Sequence, residues 1–260
     1  MALALKAGMR RFSAILVVLL LSTFAQSLSA KTVLVAIGDS ITYGGTWGSG
    51  VHRNTVFGGW VTRLRDRLQD DFPDQYEVLN RGINGDTAQG VFNRLDRDVV
   101  SRQPGIVIVG IGTNDAYGYA GVNVPARNAD DYRSVMRRIF DKLEQDLPGT
   151  PVFAMGMSTP LKKYATGLAF NQDFLDTQFA AYNDVLKELT REYGYFYVDI
   201  PSKWPSDVEE SWELSADGVH PNDAGYDMMT DILYSLLTST VSVESQYWLI
   251  ATWGQLRSLR

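Results

Sequence analysis

Unbroken apolar runs alternate with segments of helical period along most of the chain. "VLVAI" at residues 33–37 and "IVIVGIG" at 106–112 contain no charged or strongly polar position, as strands buried on both faces do. Shorter runs at 76–79, 152–157 ("VFAMGM") and 195–200 ("YFYVDI") predict three more strands. Helices are predicted between them at about 59–71, 87–102, 128–147 and 173–193, with a last one at about 222–237. Apolar residues recur three or four apart in these segments: Trp60, Leu64 and Leu68, then Val91, Leu95 and Val99, then Tyr132, Met136, Ile139 and Leu143. Pro148-Gly149 ends the third helix, and residues 201–221 read as an irregular loop. Strands separated by crossover helices predict a parallel sheet covered on both faces. The expected fold class is α/β, a three-layer α/β/α flavodoxin-like fold with a five-stranded parallel sheet. In such sheets the site lies beyond the carboxyl ends of the strands, where strand order reverses.

The first 30 residues break the alternation. Lys6, Arg10 and Arg11 precede an apolar run from Ala14 to Leu21, and small polar residues follow up to Ala30. This is the pattern of a secretory signal peptide, with cleavage after Ser27 or Ala30, and the apolar run is short for a membrane span. An uncleaved anchor is the alternative. One catalytic-sized domain is expected from 31 to about 240. The tail at 241–260, with Tyr247, Trp248 and Trp253, reads as a C-terminal extension, expected to be helical.

Removing the leader's three basic residues leaves 21 Lys and Arg against 30 Asp and Glu, a net charge of −9. So acidic a chain, lacking a basic run, argues against nucleic acid and anionic lipid surfaces as partners. It has no cysteine, which excludes thiol chemistry and Cys-zinc sites, and an exported protein of this size can fold without disulfides.

Four loops at strand ends carry the polar residues that matter: Gly38-Asp39-Ser40, then "GINGDT" at 82–87, Gly112-Thr113-Asn114-Asp115, and Asp217-Gly218-Val219-His220-Pro221. A serine that attacks an acyl group needs a base near neutral pH, and the chain offers only His52 and His220. His220 has Asp217 three residues before it, a spacing that lets the carboxylate hold one ring nitrogen while the other faces Ser40. His52 has no carboxylate close in sequence and reads as a rim residue. For the oxyanion, the N–H of Ser40, the N–H of Gly85 and the Asn114 amide are candidate donors. Taken singly, Ser40 reads as a helix N-cap, Asn114 as an Asx-turn, Gly85 as a left-handed turn residue, and Asp217 as a solvated one. Together they fall on one edge of one sheet, in the chain order Ser, Gly, Asn, Asp, His.

The segments "GDSIT", "NGDT", "GTND" and "DGVHP" resemble, in order and approximate spacing, the conserved blocks of the SGNH hydrolases, or GDSL esterase/lipase family. The similarity runs from residue 33 to about 237, and isoleucine replaces leucine in the first block. What the resemblance implies is a Ser-His-Asp hydrolase, with Ser40 as nucleophile, His220 as base and Asp217 as acid. Ser40, Gly85 and Asn114 match the oxyanion hole. Asp39 and Asp115 are expected to act behind these residues, accepting hydrogen bonds from backbone N–H groups that hold the Ser40 and Asn114 loops. No cofactor and no metal are called for.

The rim loops are rich in aromatics, including Tyr43, Trp47, Phe57, Tyr117, Tyr164, Trp204 and Trp212. These suit a small ester or a sugar face, though several fit equally well as loop packing. No long apolar lid is present in the pattern. The expected activity is hydrolysis of short-chain, acetyl-like esters, with a small-molecule or carbohydrate ester as partner. A thioesterase or lysophospholipase using the same residues is the alternative. A non-catalytic carbohydrate-binding module on this scaffold would be expected to lack Ser40 or His220, and both are present.

Overall fold

The computed structural model describes residues 31–44, 58–118, 128–159 and 172–247. Five strands form a single parallel sheet in the order β2-β1-β3-β4-β5. They are β1 (Thr32–Gly38), β2 (Tyr76–Gly82), β3 (Ile106–Gly110), β4 (Val152–Met155) and β5 (Phe196–Val198). The helices are α1 (Ser40–Tyr43), α2 (Trp60–Asp71), α3 (Ala88–Asp98), α4 (Thr113–Tyr117), α5 (Ala129–Asp146), α6 (Gln172–Tyr193), α7 (Val208–Trp212) and α8 (Asp223–Tyr247).

Alternation along β1 explains the layers. Val35 and Ile37 enter one core with Val91 and Leu95 of α3, Met136 and Phe140 of α5, and Phe179 and Leu186 of α6. Leu34 and Ala36 enter the other, with Trp60, Leu64 and Leu68 of α2 and Tyr226, Leu233 and Leu237 of α8. Both faces of the sheet are therefore apolar, which is why β1 and β3 carry no alternating pattern. Arg63 and Arg67 of α2 pair with Asp223, Asp227 and Asp231 of α8, tying the two helices of the second layer together.

Several elements differ from the sequence expectation: the helix expected at 87–102 ends at Asp98, and the loop after β3 carries the short helix α4. β2 continues through the polar Asn80, Arg81 and Gly82, because backbone pairing with β1 runs to Gly38↔Gly82 and an edge strand tolerates polar side chains. The loop expected at 201–221 contains the short helix α7. The last helix does not stop near 237 but runs to Tyr247. The leader at 1–30 and residues 248–260 of the expected extension lie outside the described residues, as do Trp47, His52, Phe57 and Tyr164. Among the described residues no helix is long and apolar enough to cross a membrane.

Strand order reverses between β1 and β3, since β2 lies to one side of β1 and β4 and β5 extend beyond β3. That crevice is the expected binding position in a doubly wound sheet.

Candidate active site

Ser40 opens α1 directly after β1. Gly38 lets the strand pass close to its neighbour, because a Cβ there would lie 2.1 Å from Gly110 O and 2.3 Å from Thr42 Oγ1. Asp39 caps the helix, its Oδ1 accepting from Ile41 N at 2.9 Å. Ser40 thus stands at a helix start at the carboxyl edge of the sheet, and it is buried.

His220 arrives from the far end of the chain. Its Nε2 is 2.8 Å from Ser40 Oγ, and its Nδ1 is 2.8 Å from Asp217 Oδ2. The other Asp217 oxygen accepts from Val219 N at 2.9 Å and His220 N at 2.8 Å, so the three-residue spacing closes a tight Asx turn. Ser215 braces this turn, accepting from Gly218 N at 2.8 Å and donating to His220 O at 3.1 Å. Asn222 caps α8 by accepting from Gly225 N at 3.1 Å, which fixes the chain just after Pro221. Burial is the largest single influence on the Asp217 carboxyl and pushes it up. The His220 hydrogen bond, the His220 charge and the two backbone N–H groups together outweigh burial and hold the carboxyl below its ordinary range.

Gly85 turns the chain in the left-handed region (φ 72°), where a side chain would be strained. Asn114 stands in the first turn of α4 and donates from Nδ2 to Asp86 O at 2.8 Å. The Asn114 amide is thereby tied to the residue that follows Gly85. Asp115 bonds a backbone N–H, but on a neighbouring element: its Oδ2 accepts from Ala88 N at 2.9 Å, at the start of α3. Of the described rim aromatics, Tyr43 is exposed, whereas Trp204 packs against the α2/α8 core and donates from Nε1 to Ser211 Oγ at 2.7 Å. His52 lies outside the described residues. Among the described residues no cluster of three or more His, Cys, Asp or Glu side chains forms a metal site.

Two features were not singled out from the sequence. Arg94 and Asp98 of α3 are buried, and Arg94 pairs with both Asp86 and Asp98. The available signal was their spacing, since residues 91, 94, 95, 98 and 99 share one helix face and place two charges in an apolar stripe.

The second is the state of Asp39. Burial pushes its carboxyl up to about 7, against the Ile41 N–H bond and the His220 charge, while Asp115 and Asp86 add to the rise. Its Oδ2 has no hydrogen-bond partner among the described residues, nor has the Trp60 indole N–H. Both residues line a cavity of about 30 Å³ beside Thr42, Met155 and Met229. Up to about pH 7 the folded protein keeps a proton on Asp39 that the unfolded chain releases near its ordinary value of 3.8. The folded state then binds more protons across that window, so its stability falls as pH rises through it and levels off above, by up to about 4 kcal/mol. Asp39→Asn keeps the acceptor for Ile41 N and cannot ionise. Denaturant unfolding is expected to find it about as stable as the parent near pH 3.5 and more stable by about 2 kcal/mol or more near pH 8.5. A variant less stable than the parent at the higher pH would mean the site stabilises the carboxylate instead.

Comparison with known proteins identifies the family and the fold. The family model of the GDSL-like lipase/acylhydrolase family matches residues 36–228. The chain is 26% identical over 205 residues to an acetylxylan esterase from Geobacillus stearothermophilus, covering 74% of this chain and 88% of that protein. It is 26% identical over 230 residues to thioesterase 1/protease 1/lysophospholipase L1 from Escherichia coli, covering 87% and 92%. A 31% identity with esterase TesA from Pseudomonas aeruginosa spans 142 residues, 55% of this chain and 62% of the length of that protein. A solved structure of a GDSL-like lipase from Parabacteroides merdae shares the fold at a TM-score of 0.64 and 22% identity, covering 79% of this chain and 95% of that one. The chain belongs to the GDSL-like lipase/acylhydrolase family and is a carboxylic-ester hydrolase.

Proposed function

We propose that the protein is an exported serine esterase that removes short, acetyl-like acyl groups through Ser40, His220 and Asp217. The observation that carries this reading is the pair of 2.8 Å contacts linking Ser40 Oγ, His220 and Asp217 at the carboxyl edge of the sheet. In this mechanism His220 Nε2 takes the Ser40 proton as Oγ attacks the ester carbonyl, and Asp217 supports the imidazolium that forms. The tetrahedral oxyanion receives the N–H groups of Ser40 and Gly85 and the second Asn114 amide proton, the first being held by Asp86 O. The alcohol leaves with the proton from His220, and water then hydrolyses the acyl-enzyme along the same path.

The small acyl group is supported by the absence of a long apolar lid in the sequence pattern and by the likeness to an acetylxylan esterase. Export is supported by the leader pattern of residues 1–30. The likeness to an Escherichia coli protein named for thioesterase and lysophospholipase activities favours a second reading, with the same residues acting on longer acyl thioesters or lysolipids.

A panel of nitrophenyl esters of rising chain length, run beside acetylated xylan, acyl-CoA and lysophospholipid, separates the two. We expect kcat/KM to be highest for acetyl or propionyl esters and to fall by about tenfold or more at long chains, a loss of about 1.4 kcal/mol or more in transition-state binding. A maximum on long-chain thioesters or lysophospholipid would establish the second reading. Fluorophosphonate should label Ser40 in the same preparation, and labelling elsewhere, or none, would overturn both.

A further inference from the structure

A buried guanidinium joins the three loops that carry the amide donors. Arg94 of α3 is only 8% exposed. Its Nε donates to Asp86 Oδ2 at 2.7 Å, and its Nη1 donates to Arg81 O at 2.8 Å and Asp98 Oδ2 at 2.9 Å. Its Nη2 donates to Gly38 O at 2.9 Å. Gly38 O is the last carbonyl of β1, two residues before Ser40, and it also accepts from Ile83 N at 2.9 Å. Asp86 directly follows Gly85. Its Oδ1 accepts from Thr87 N at 2.9 Å, and its carbonyl accepts from the Asn114 amide at 2.8 Å. One side chain therefore reaches the Ser40 turn and the Gly85 loop directly, and Asn114 through Asp86.

Building on the oxyanion role proposed above for Ser40, Gly85 and Asn114, we infer that Arg94 is the positioning residue of that hole. Through Gly38 O and the Asp86 carboxylate it holds the Ser40 N–H, the Gly85 N–H and the Asn114 amide at one separation. Arginine suits this work because its planar fork can bond a carboxylate and backbone carbonyls in different directions at once. A lysine ammonium at the same place has one nitrogen and cannot span Gly38 O, Arg81 O and Asp86 together. The flanking carboxylates Asp86 and Asp98 are themselves bonded to Arg94, so the cluster is polar but internally satisfied. An oxyanion hole acts because its donors are fixed before charge develops. Loosened donors still admit a neutral ester, so the deficit falls on the transition state and appears in kcat.

The test uses Arg94→Lys and Arg94→Gln in the full chain, with p-nitrophenyl acetate as substrate. Active sites are counted by fluorophosphonate carried to completion, and thermal midpoints are recorded alongside. We expect kcat per titrated site to fall about 100-fold, as when one oxyanion donor is lost, with KM within about threefold. Inhibition by phenylboronate, a tetrahedral anion, should weaken in proportion to kcat. A purely structural role would lower the midpoint and the titrated fraction while leaving kcat per site alone. Folded Arg94 variants with parental kcat per site would overturn the inference.

Should both variants fail to fold, Asp98→Asn reads the same claim. It removes the outer carboxylate from Arg94 Nη1 and leaves Asp86, Arg81 O and Gly38 O in place. A fall in kcat of about threefold or more at constant KM is expected, and an unchanged kcat would overturn the inference. All these comparisons are made against an active parent. A parent without esterase turnover would strike instead at the reading under Proposed function.

Discussion

Ser40→Ala is expected to lower kcat on p-nitrophenyl acetate by about five to six orders of magnitude, with KM little changed and the fold intact. The acyl-enzyme route needs Oγ, and no other hydroxyl is described at hydrogen-bonding distance from His220 Nε2. What should survive is the part of catalysis that does not use the hydroxyl. The backbone N–H at position 40 stays at the start of α1, because Asp39 and not Ser40 caps that helix. Residual turnover about a thousandfold above the uncatalysed rate is therefore consistent with the mechanism. His220→Ala should lose nearly as much. The double variant should be hardly worse than either single one, since nucleophile and base act as a unit and their losses do not add. Five decades of kcat correspond to about 7 kcal/mol of transition-state stabilisation. Loss of one buried hydroxyl hydrogen bond should cost the fold only about 1 kcal/mol, so circular dichroism and the thermal midpoint should barely move. Turnover within tenfold of the parent in either variant would mean the reaction runs elsewhere.

The parts of this fold legible in the sequence were those governed by short-range rules. Strands buried on both faces cannot alternate, so "VLVAI" and "IVIVG" announced themselves as apolar runs. Helix faces followed the 3.6-residue period through Trp60, Leu64 and Leu68, now in one core, and Val91 and Leu95, now in the other. Less legible were features that depend on a partner distant in sequence. β2 runs on through Asn80 and Arg81 because β1 supplies the backbone partners, and Asn80 turns its amide to Thr42 O at 2.9 Å. No local rule marks those residues as strand. Asp115 likewise accepts from Ala88, 27 positions away, on a helix its own loop does not touch in sequence.

The candidate site divides in the same way. The Asp217 and His220 contacts lie within three residues, so their mutual geometry follows from an Asx turn readable in "DGVH". The Ser40–His220 contact joins residues 180 apart and depends on which strand ends become neighbours. That was available only because five continuous strands imply one parallel sheet with a shared carboxyl edge. Of the four Arg94 partners only Asp98 lies on its own helix; Asp86 and the carbonyls of Gly38 and Arg81 come from other segments, and backbone acceptors leave no trace in side-chain pattern.

The remaining question of assignment is which aspartate serves the histidine, since Asp39 and Asp217 both lie beside it in sequence or space. Geometry separates them. Asp217 Oδ2 is 2.8 Å from His220 Nδ1, whereas Asp39 Oδ1 is engaged with the Ile41 N–H. Electrostatics separate them too: Asp217 is held below the ordinary carboxylate range, while burial pushes Asp39 up to about 7. A carboxyl that is half protonated near neutral pH is a poor partner for an imidazolium, and one that stays ionised is a good one. Asp217→Asn is therefore expected to cost about four orders of magnitude in kcat, because an amide can donate to Nδ1 and leave a proton on the nitrogen that faces Ser40. Asp217→Ala should also lose the acceptor for Val219 N and His220 N, and so should be less stable than the Asn variant. The sign of the pH effect follows from the same shift. Asp217 contributes stability that is present above its unfolded pKa and is lost as pH falls through the lower folded value, so removing it destabilises the protein at neutral pH and matters least in strong acid. Asp39→Asn, assayed beside these variants near pH 7, should retain kcat within about tenfold of the parent, the opposite pattern. If Asp39→Asn loses four decades and Asp217→Asn does not, the acid of the site is Asp39, and the Asp217 turn serves only to hold the histidine loop.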